Sequence, residues 1–368
     1  MPIFMDRHDV SEAVTAENVA QIHQEDLKIQ DEFGCRGLTY WFDDKRKTAF
    51  CLIEAPDAKA IQKMHDKAHG QVPHSIIEVE PSIVESFLGR IQDPEKARDA
   101  GLNIINDPAF RTIMVISLCW ITLSGDSQPF RTSFEKLNSD IRKTLQSHEG
   151  NIVRQSDDYY LVSFKSVTNA VHAALEIQGV NREFTKNEKK QKVNIKIGLS
   201  AGLPVTQKQL IFEDTIKLAE RIAALVKGEI VVSAEVKELY RSENANTFIK
   251  GKGITFLMEP DEKFITLLMD YTDKVWSDAN LKVDHFCKPL GRSKSQLYRK
   301  MILLTGQSPN TFIKEYRLKE ALKCIQKRVG NISEIAFTTG FSSPSYFTKC
   351  FKKKFGLIPA DYLNSLRS

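Results

Sequence analysis

Ile332-Ser333-Glu334-Ile335-Ala336-Phe337-Thr338-Thr339-Gly340-Phe341-Ser342-Ser343-Pro344-Ser345-Tyr346-Phe347 decides the fold of the last part of this chain. An apolar residue, a small one, and a glycine four positions after that is what a short helix ending in a tight turn requires. Ser343 and Pro344 then open another helix, because serine caps well and proline suits the first helical position. Earlier, Phe286-Cys287-Lys288-Pro289-Leu290-Gly291 repeats the pattern, and Ser293 with Gln296 forms a capping box. Leu297 with Met301, and Phe347 with Phe351, are i,i+4 pairs expected to face a core. That turns Lys294, Ser295, Gln296 and Arg299 outward on one helix, and Ser345, Tyr346 and Lys349 outward on the other.

Between the two units, Ser308 and Pro309 open an amphipathic helix to about Lys327. Its apolar residues Phe312, Ile313, Tyr316, Leu318, Ala321, Leu322 and Ile325 suit a spacer clamped by both. Two such helices on a stiff connector can enter successive major grooves about 34 Å apart on one face of double-stranded DNA. Lysine and arginine near the helix starts would neutralise phosphates, and glutamine and arginine could read base edges.

Several segments here resemble the AraC/XylS family. They are Arg317-Leu318-Lys319-Glu320-Ala321, Ile332-Ser333-Glu334-Ile335-Ala336, Gly340 to Phe347, Phe351-Lys352-Lys353-Lys354-Phe355-Gly356 and Pro359. The match covers about residues 270–366. It implies an all-α double helix-turn-helix domain, placed at 265–368, that binds DNA and regulates transcription, contacting RNA polymerase if it activates. Pro289 departs from the pattern and is expected to shorten the first unit's leading helix.

Charge agrees. The net +5 conceals a gradient: positions 1–95 carry roughly 10 basic and 18 acidic side chains, and 265–368 roughly 18 and 8. A basic end is the footprint of a polyanion partner. No apolar run approaches the ~20 residues that a bilayer crossing needs. The start Met1-Pro2-Ile3-Phe4-Met5-Asp6-Arg7-His8 has no secretory pattern. Cys35, Cys51, Cys119, Cys287, Cys324 and Cys350 form no CxxC and fit reduced thiols in a cytoplasm.

The 368 residues point to two or three domains, and the fold class expected is multidomain α+β. Residues 1–81 alternate as βαββαβ, the ferredoxin-like pattern. Strands are expected at Pro2–Arg7, Gly37–Phe42, Thr48–Glu54 and Ser75–Glu80, and helices at Thr15–Phe33 and Asp57–Ala68. Residues 82–111, carrying Pro94, Gly101 and Pro108, read as a linker with some helix. An α/β module follows at 112–261. Its strands are expected at Thr112–Thr122, in a hairpin over Ile152–Phe164, and at Val193–Gly202 and Glu229–Ser233. Helices fall at Phe130–Ser147, Val167–Phe184 and Thr215–Val226, with a charged loop at Lys186–Lys192.

Val193 to Gly202, Glu220-Arg221-Ile222-Ala223, Gly228 to Ser233 and the helix Asn169 to Gln178 resemble class III nucleotidyl cyclases. The chemistry that the resemblance implies fails residue by residue. Two metal aspartates are needed to neutralise charge during phosphoryl-type displacement. Ser117 stands at the first place. Asp158 keeps the second, but Tyr159 blocks its tight turn. Lys217 replaces an asparagine expected four residues before the retained Arg221. No enzyme is expected. A degenerate nucleotide pocket or a homodimerisation scaffold is, with an active cyclase as the alternative.

Five of the eight histidines lie early: His8, His23, His65, His69 and His74. His65 and His69 share a helix face, a common way to seat a metal. Imidazole with carboxylate suits nickel, zinc or copper without choosing among them. Residues 1–81 also resemble small ferredoxin-like nickel-binding proteins, through Met5-Asp6-Arg7-His8, His23-Gln24-Glu25-Asp26, Phe50 to Asp57 and His65 to Gly70. His8, His65 and His69, then His23, are the expected ligands, with His74 and Cys51 structural. The function expected is a DNA-binding transcription regulator answering to a transition metal or a nucleotide. A metal-buffering protein is a further alternative.

Overall fold

The computed structural model describes residues 1–94, 101–119, 127–187, 193–244 and 253–365. Its first layer comprises β1 (Ile3–Asp9), α1 (Ala16–Ile29), β2 (Arg36–Asp43), β3 (Thr48–Glu54), α2 (Ala58–His69) and β4 (Ser75–Val79). Every pairing is antiparallel, in the order β2-β3-β1-β4. Thr15 caps α1 in a box with Asn18, Asp57 caps α2, and Gly70 ends α2 in the left-handed region at φ 74°.

The stretch expected as a linker is built into the protein. It opens with α3 (Pro81–Leu88), whose Val84, Phe87 and Leu88 are buried. Asp93 then donates its N–H to the Leu38 carbonyl at 3.1 Å, and Phe42 donates to that of Asp107 at 3.2 Å. The segment thereby satisfies the open edge of β2, which would otherwise be a free strand edge. Its prolines and glycine had signalled a loop, and that signal carries no information about burial.

The middle layer contains β5 (Arg111–Cys119), α4 (Ser127–Ser147), β6 (Asn151–Ser156), β7 (Tyr159–Phe164), α5 (Val167–Asn187) and β8 (Asn194–Gly202). It continues with α6 (Glu213–Leu225), β9 (Ile230–Val232), α7 (Ala234–Glu243) and β10 (Ile254–Phe256). The sheet order is β10-β9-β8-β5-β7-β6, with β8, β9 and β10 mutually parallel. Four adjacent strands at one end, β8-β5-β7-β6, repeat the permutation of the first sheet. The short α7 and β10 had no clear periodic signal. Residues 120–122 of the expected first strand, and 188–192 of the charged loop, lie outside the described residues.

The two sheets share one apolar core. Met5, Trp41, Phe50, Leu52 and Ile77 from the first pack in a single cluster with α3 and with Ile113, Val115 and Leu161 of the second. Phe212 and Ala219 of the α6 region join them. The opposite face of the second sheet packs on α4 and α5. Both faces of the second sheet are therefore used within the chain.

Helices fill the rest: α8 (Glu259–Val275), α9 (Lys294–Thr305), α10 (Pro309–Gln326), α11 (Ile332–Thr338), α12 (Pro344–Phe355) and α13 (Pro359–Ser365). Ser293, Ser308, Asn331 and Ser343 cap α9 to α12 in turn. Ahead of α9 stands only a 3-10 turn, Val283–Phe286. This is the shortening that Pro289 led us to expect. Among the described residues no helix is long and apolar enough to cross a membrane.

Candidate nucleic-acid interface and metal centre

α10 belongs to two cores at once. Phe312 and Ile313 pack with α8 and α9 around Leu297, Met301 and Leu304. Leu318, Ala321 and Ile325 pack with α11 and α12 around Ile335, Phe347 and Phe351. Each end of the connector is thus fixed in one unit, and its 18 residues span about 27 Å at 1.5 Å per residue. Gly340 makes the second turn possible, at φ 81° and with any Cβ falling 2.8 Å from Arg317 Nε. Arg317 in turn donates to the Trp276 and Asp278 carbonyls at 2.8 and 2.6 Å, tying α10 to the end of α8.

On α9 the side chains of Lys294, Ser295, Gln296 and Arg299 are exposed, as are Ser345, Tyr346 and Lys349 on α12. Gln296 is partly committed, because its Oε1 accepts the Ser293 N–H at 3.0 Å. Lys294 pairs with Asp284 at 3.0 Å. Between the units lies a groove of about 400 Å³, lined by Asn310, Lys314, Arg317, Ser342 and Tyr346 among others. Polar and cationic groups on two helix faces joined through such a groove can contact phosphates and base edges together.

The histidines of the first layer converge between the helices and the sheet. His65 is fully buried and stands between two carboxylates. Its Nε2 donates to Asp6 Oδ2 at 2.9 Å and its Nδ1 to Asp26 Oδ1 at 3.0 Å. His69 Nε2 lies 3.2 Å from the same Asp26 oxygen, and His8 Nε2 lies 3.5 Å from Asp6. Asp6 Oδ1 also accepts the Cys51 N–H at 2.8 Å.

Burial alone would lower the His65 pKa, but the hydrogen bonds to Asp26 and Asp6 outweigh it and push it up to about 10. Burial would likewise raise Asp6, yet His8 and His65 hold it far below the usual carboxylate range. Asp26 is lowered against its own burial by His65 and His69. The Cys51 thiol is raised well above its ordinary value by burial, then by the nearby carboxylates.

Two groups of donors result, Asp6 with His8 and Cys51, and Asp26 with His65 and His69, each within 4.8 Å. All of these donors except Asp6 border a narrow cavity of about 20 Å³, room for one small ion or water. Imidazole, carboxylate and thiol donors fit a borderline divalent transition ion. His23 lines the same cavity but falls in neither group, lying 3.8 Å from Asp93 and against the Tyr40 ring. Asp6 was not singled out from the sequence, although it lies two positions before His8 and so on the same strand face. His74 accepts the Asp9 N–H at 3.1 Å, a structural contact.

Of the cyclase-like positions, Ser117 and Asp158 come together across β5 and β7, while Lys217 and Arg221 are engaged elsewhere. Ser117 pairs across the sheet with Tyr159, and Leu118 donates to the Asp158 carbonyl at 2.8 Å. Lys217 pairs with Glu213 one helical turn away, while Arg221 is drawn to Asp270 and Asp273 on α8. The Tyr159 hydroxyl donates to Glu220 at 2.8 Å, filling the space beside the turn.

Two family models match parts of the chain. Residues 4–79 match the family described as nickel responsive protein SCO4226-like, and residues 286–365 match a helix-turn-helix domain. The probable transcription factor PqrA of Proteus vulgaris is 35% identical over 85 residues, 23% of this chain and 70% of that protein. Histidine kinase P4 of Formosa agariphila is 36% identical over 104 residues, 28% of this chain, which spans only 8% of that protein. The solved structure of SCO4226 from Streptomyces coelicolor A3(2) is 34% identical, covering 21% of this chain and 94% of that one, with a TM-score of 0.20.

Proposed function

The chain belongs to the AraC-type helix-turn-helix transcription regulators, and from that premise we propose that it is a sequence-specific regulator of transcription whose DNA affinity answers to a metal held in its first layer. The observation that carries this is α10, seated by one half in each unit's core while both recognition helices keep polar faces exposed. Lys294, Ser295, Gln296 and Arg299 would meet one half-site, and Ser345, Tyr346 and Lys349 the other. RNA polymerase is the further partner if the protein activates. A cytoplasmic location goes with this reading.

Asp26, His65 and His69, with Asp6, His8 and Cys51 beside them, would hold nickel or a similar ion. A bound ion supplies positive charge and fixes its donors. The residues' own part is to keep two buried carboxylates and an imidazole poised within one small space. The way outward runs through α6. Before it, Val205 accepts from Arg7 at 3.4 Å and Thr206 from Ser75 at 2.9 Å, so the loop is tied to the strands around the metal donors. At its far end α6 packs on α8 and α9. Ligand shifts DNA affinity only if it binds the two arrangements differently.

The strand orders support a ferredoxin-like first layer and a cyclase-derived middle layer whose chemistry has been lost. Arg221, the retained group, now serves the contact with α8. A second copy of the chain is not needed for two half-sites, because one chain carries both units. Operator fragments selected from a random pool, then titrated with and without nickel at fixed salt, test the proposal. A several-fold change in affinity supports it, and equal affinities remove the metal as effector.

A further inference from the structure

The two recognition helices share one frame but not one surface. Setting Ser295 against Ser345 and Gly306 against Gly356 aligns the buried pair Leu297 and Met301 with Phe347 and Phe351. In that frame Arg299 answers to Lys349, Tyr298 to Thr348, Ile302 to Lys352 and Leu303 to Lys353. Where α12 carries exposed lysines, α9 carries Ile302 and Leu303, which are 41% and 60% exposed, and Tyr298 is 50% exposed.

A single exposed apolar side chain means little. Three on one short helix, whose opposite face is already packed, are different. Tyr298 and Ile302 are one turn apart, and Ser295, Arg299 and Ile302 form a row at i, i+4 and i+7 pointing away from Leu297 and Met301. The apolar pair therefore continues the polar row that faces the duplex. On the floor of a major groove, the apolar group that a base pair offers is the thymine C5-methyl. A lysine in that position takes a phosphate, and an isoleucine cannot.

We propose that Tyr298 and Ile302 form an apolar seat for thymine methyl groups, so that the first unit reads a thymine beside the base met by Arg299. The second unit grips backbone at the matching place through Lys352 and Lys353. This inference rests on the DNA-binding reading above. Continuity with the Ser295 and Arg299 row favours the duplex over an apolar protein partner as the occupant.

The test replaces each thymine of a selected operator in turn by deoxyuridine, which lacks only the methyl, and measures binding of the full chain at fixed salt. One or two replacements in the first half-site are expected to weaken binding about four-fold each, the loss for one methyl-sized group. Ile302→Ala and Tyr298→Ala should bind thymine and uracil versions alike. Ile302→Lys should erase the difference, raise affinity for all sequences and steepen the salt dependence by about one phosphate contact. Both positions are at the surface, so an unchanged melting temperature separates these effects from misfolding. If the wild-type chain stays sequence-specific yet binds thymine and uracil operators equally, the methyl seat is refuted and the DNA-binding reading stands. That is also the result if a protein partner covers the patch. If no fragment is selected at all, both fall.

Discussion

The backbone N–H of Lys227 donates to the Leu304 carbonyl oxygen at 2.8 Å, hydrogen-bonding the end of the first recognition helix to the turn after α6. Arg221 reaches Asp270 and Asp273 of α8, and Lys300 of α9 pairs with Asp261. The first DNA-reading unit is thus attached to the middle layer by backbone, ion pairs and a shared apolar core. Arg221→Ala leaves two carboxylates facing each other along α8. We expect a small loss of stability, about 1 kcal/mol because the aspartates are half exposed. Metal affinity by calorimetry should be unchanged, while the difference in DNA affinity with and without nickel shrinks. An undiminished difference would mean that the signal travels elsewhere.

His65→Ala removes the imidazolium that bridges two buried carboxylates. Breaking such a pair from one side costs about 3–5 kcal/mol, so urea unfolding should show a loss of that order in chelator. His23→Ala, outside both donor groups, should lower nickel affinity far less than His65→Ala or His69→Ala. Comparable losses from His23→Ala and His69→Ala would place His23 among the ligands.

In chelator the same cluster sets a pH profile. His65 is raised from 6.5 to about 10, so its contribution is complete below pH 6.5 and is lost as pH climbs through 10. Asp6 and Asp26 are lowered from 3.8, so theirs is complete above that value and is lost on acidification below it. Stability from this cluster should therefore plateau between about pH 4 and 6.5. Melting temperatures followed across pH should fall on the alkaline side in the wild type, and fall less in His65→Gln.

Gly198 on β8 lets α6 lie directly on the sheet, since a Cβ there would stand 2.1 Å from the Ala219 carbonyl oxygen. Gly198→Ala must push α6 outward and is expected to cost about 1–3 kcal/mol or more. Because α6 touches both the first-layer core and the first recognition unit, this variant should also weaken DNA binding without altering any DNA-facing side chain. A variant as stable as the wild type would show that α6 is not so tightly seated.

Local chemistry made much of this legible in advance. The Ser293 and Gln296 box, the Ser308–Pro309 and Ser343–Pro344 starts, and the Thr48–Glu54 strand are all written in a few adjacent residues. The metal cluster was half visible. His65 and His69 share a helix turn, but Asp6 meets His65 across 59 positions of chain, a pairing set by strand order and not by spacing. The segment after Pro81 read as a linker because proline and glycine mark turns, whereas its burial depends on an edge strand and two sheet faces that no local pattern reveals. Arg221 was noticed as a catalytic remnant. Its present partners on α8 could be found only once the third layer was in place.

Footprinting of the full chain on an operator selected from random DNA tests the central claim most directly. Two protected major-groove segments on one face of the duplex, about 10 base pairs apart, are predicted. Arg299→Ala should erase one and Lys349→Ala the other, each weakening binding by about 1–3 kcal/mol. A single protected segment, or uniform protection of any DNA offered, would contradict it.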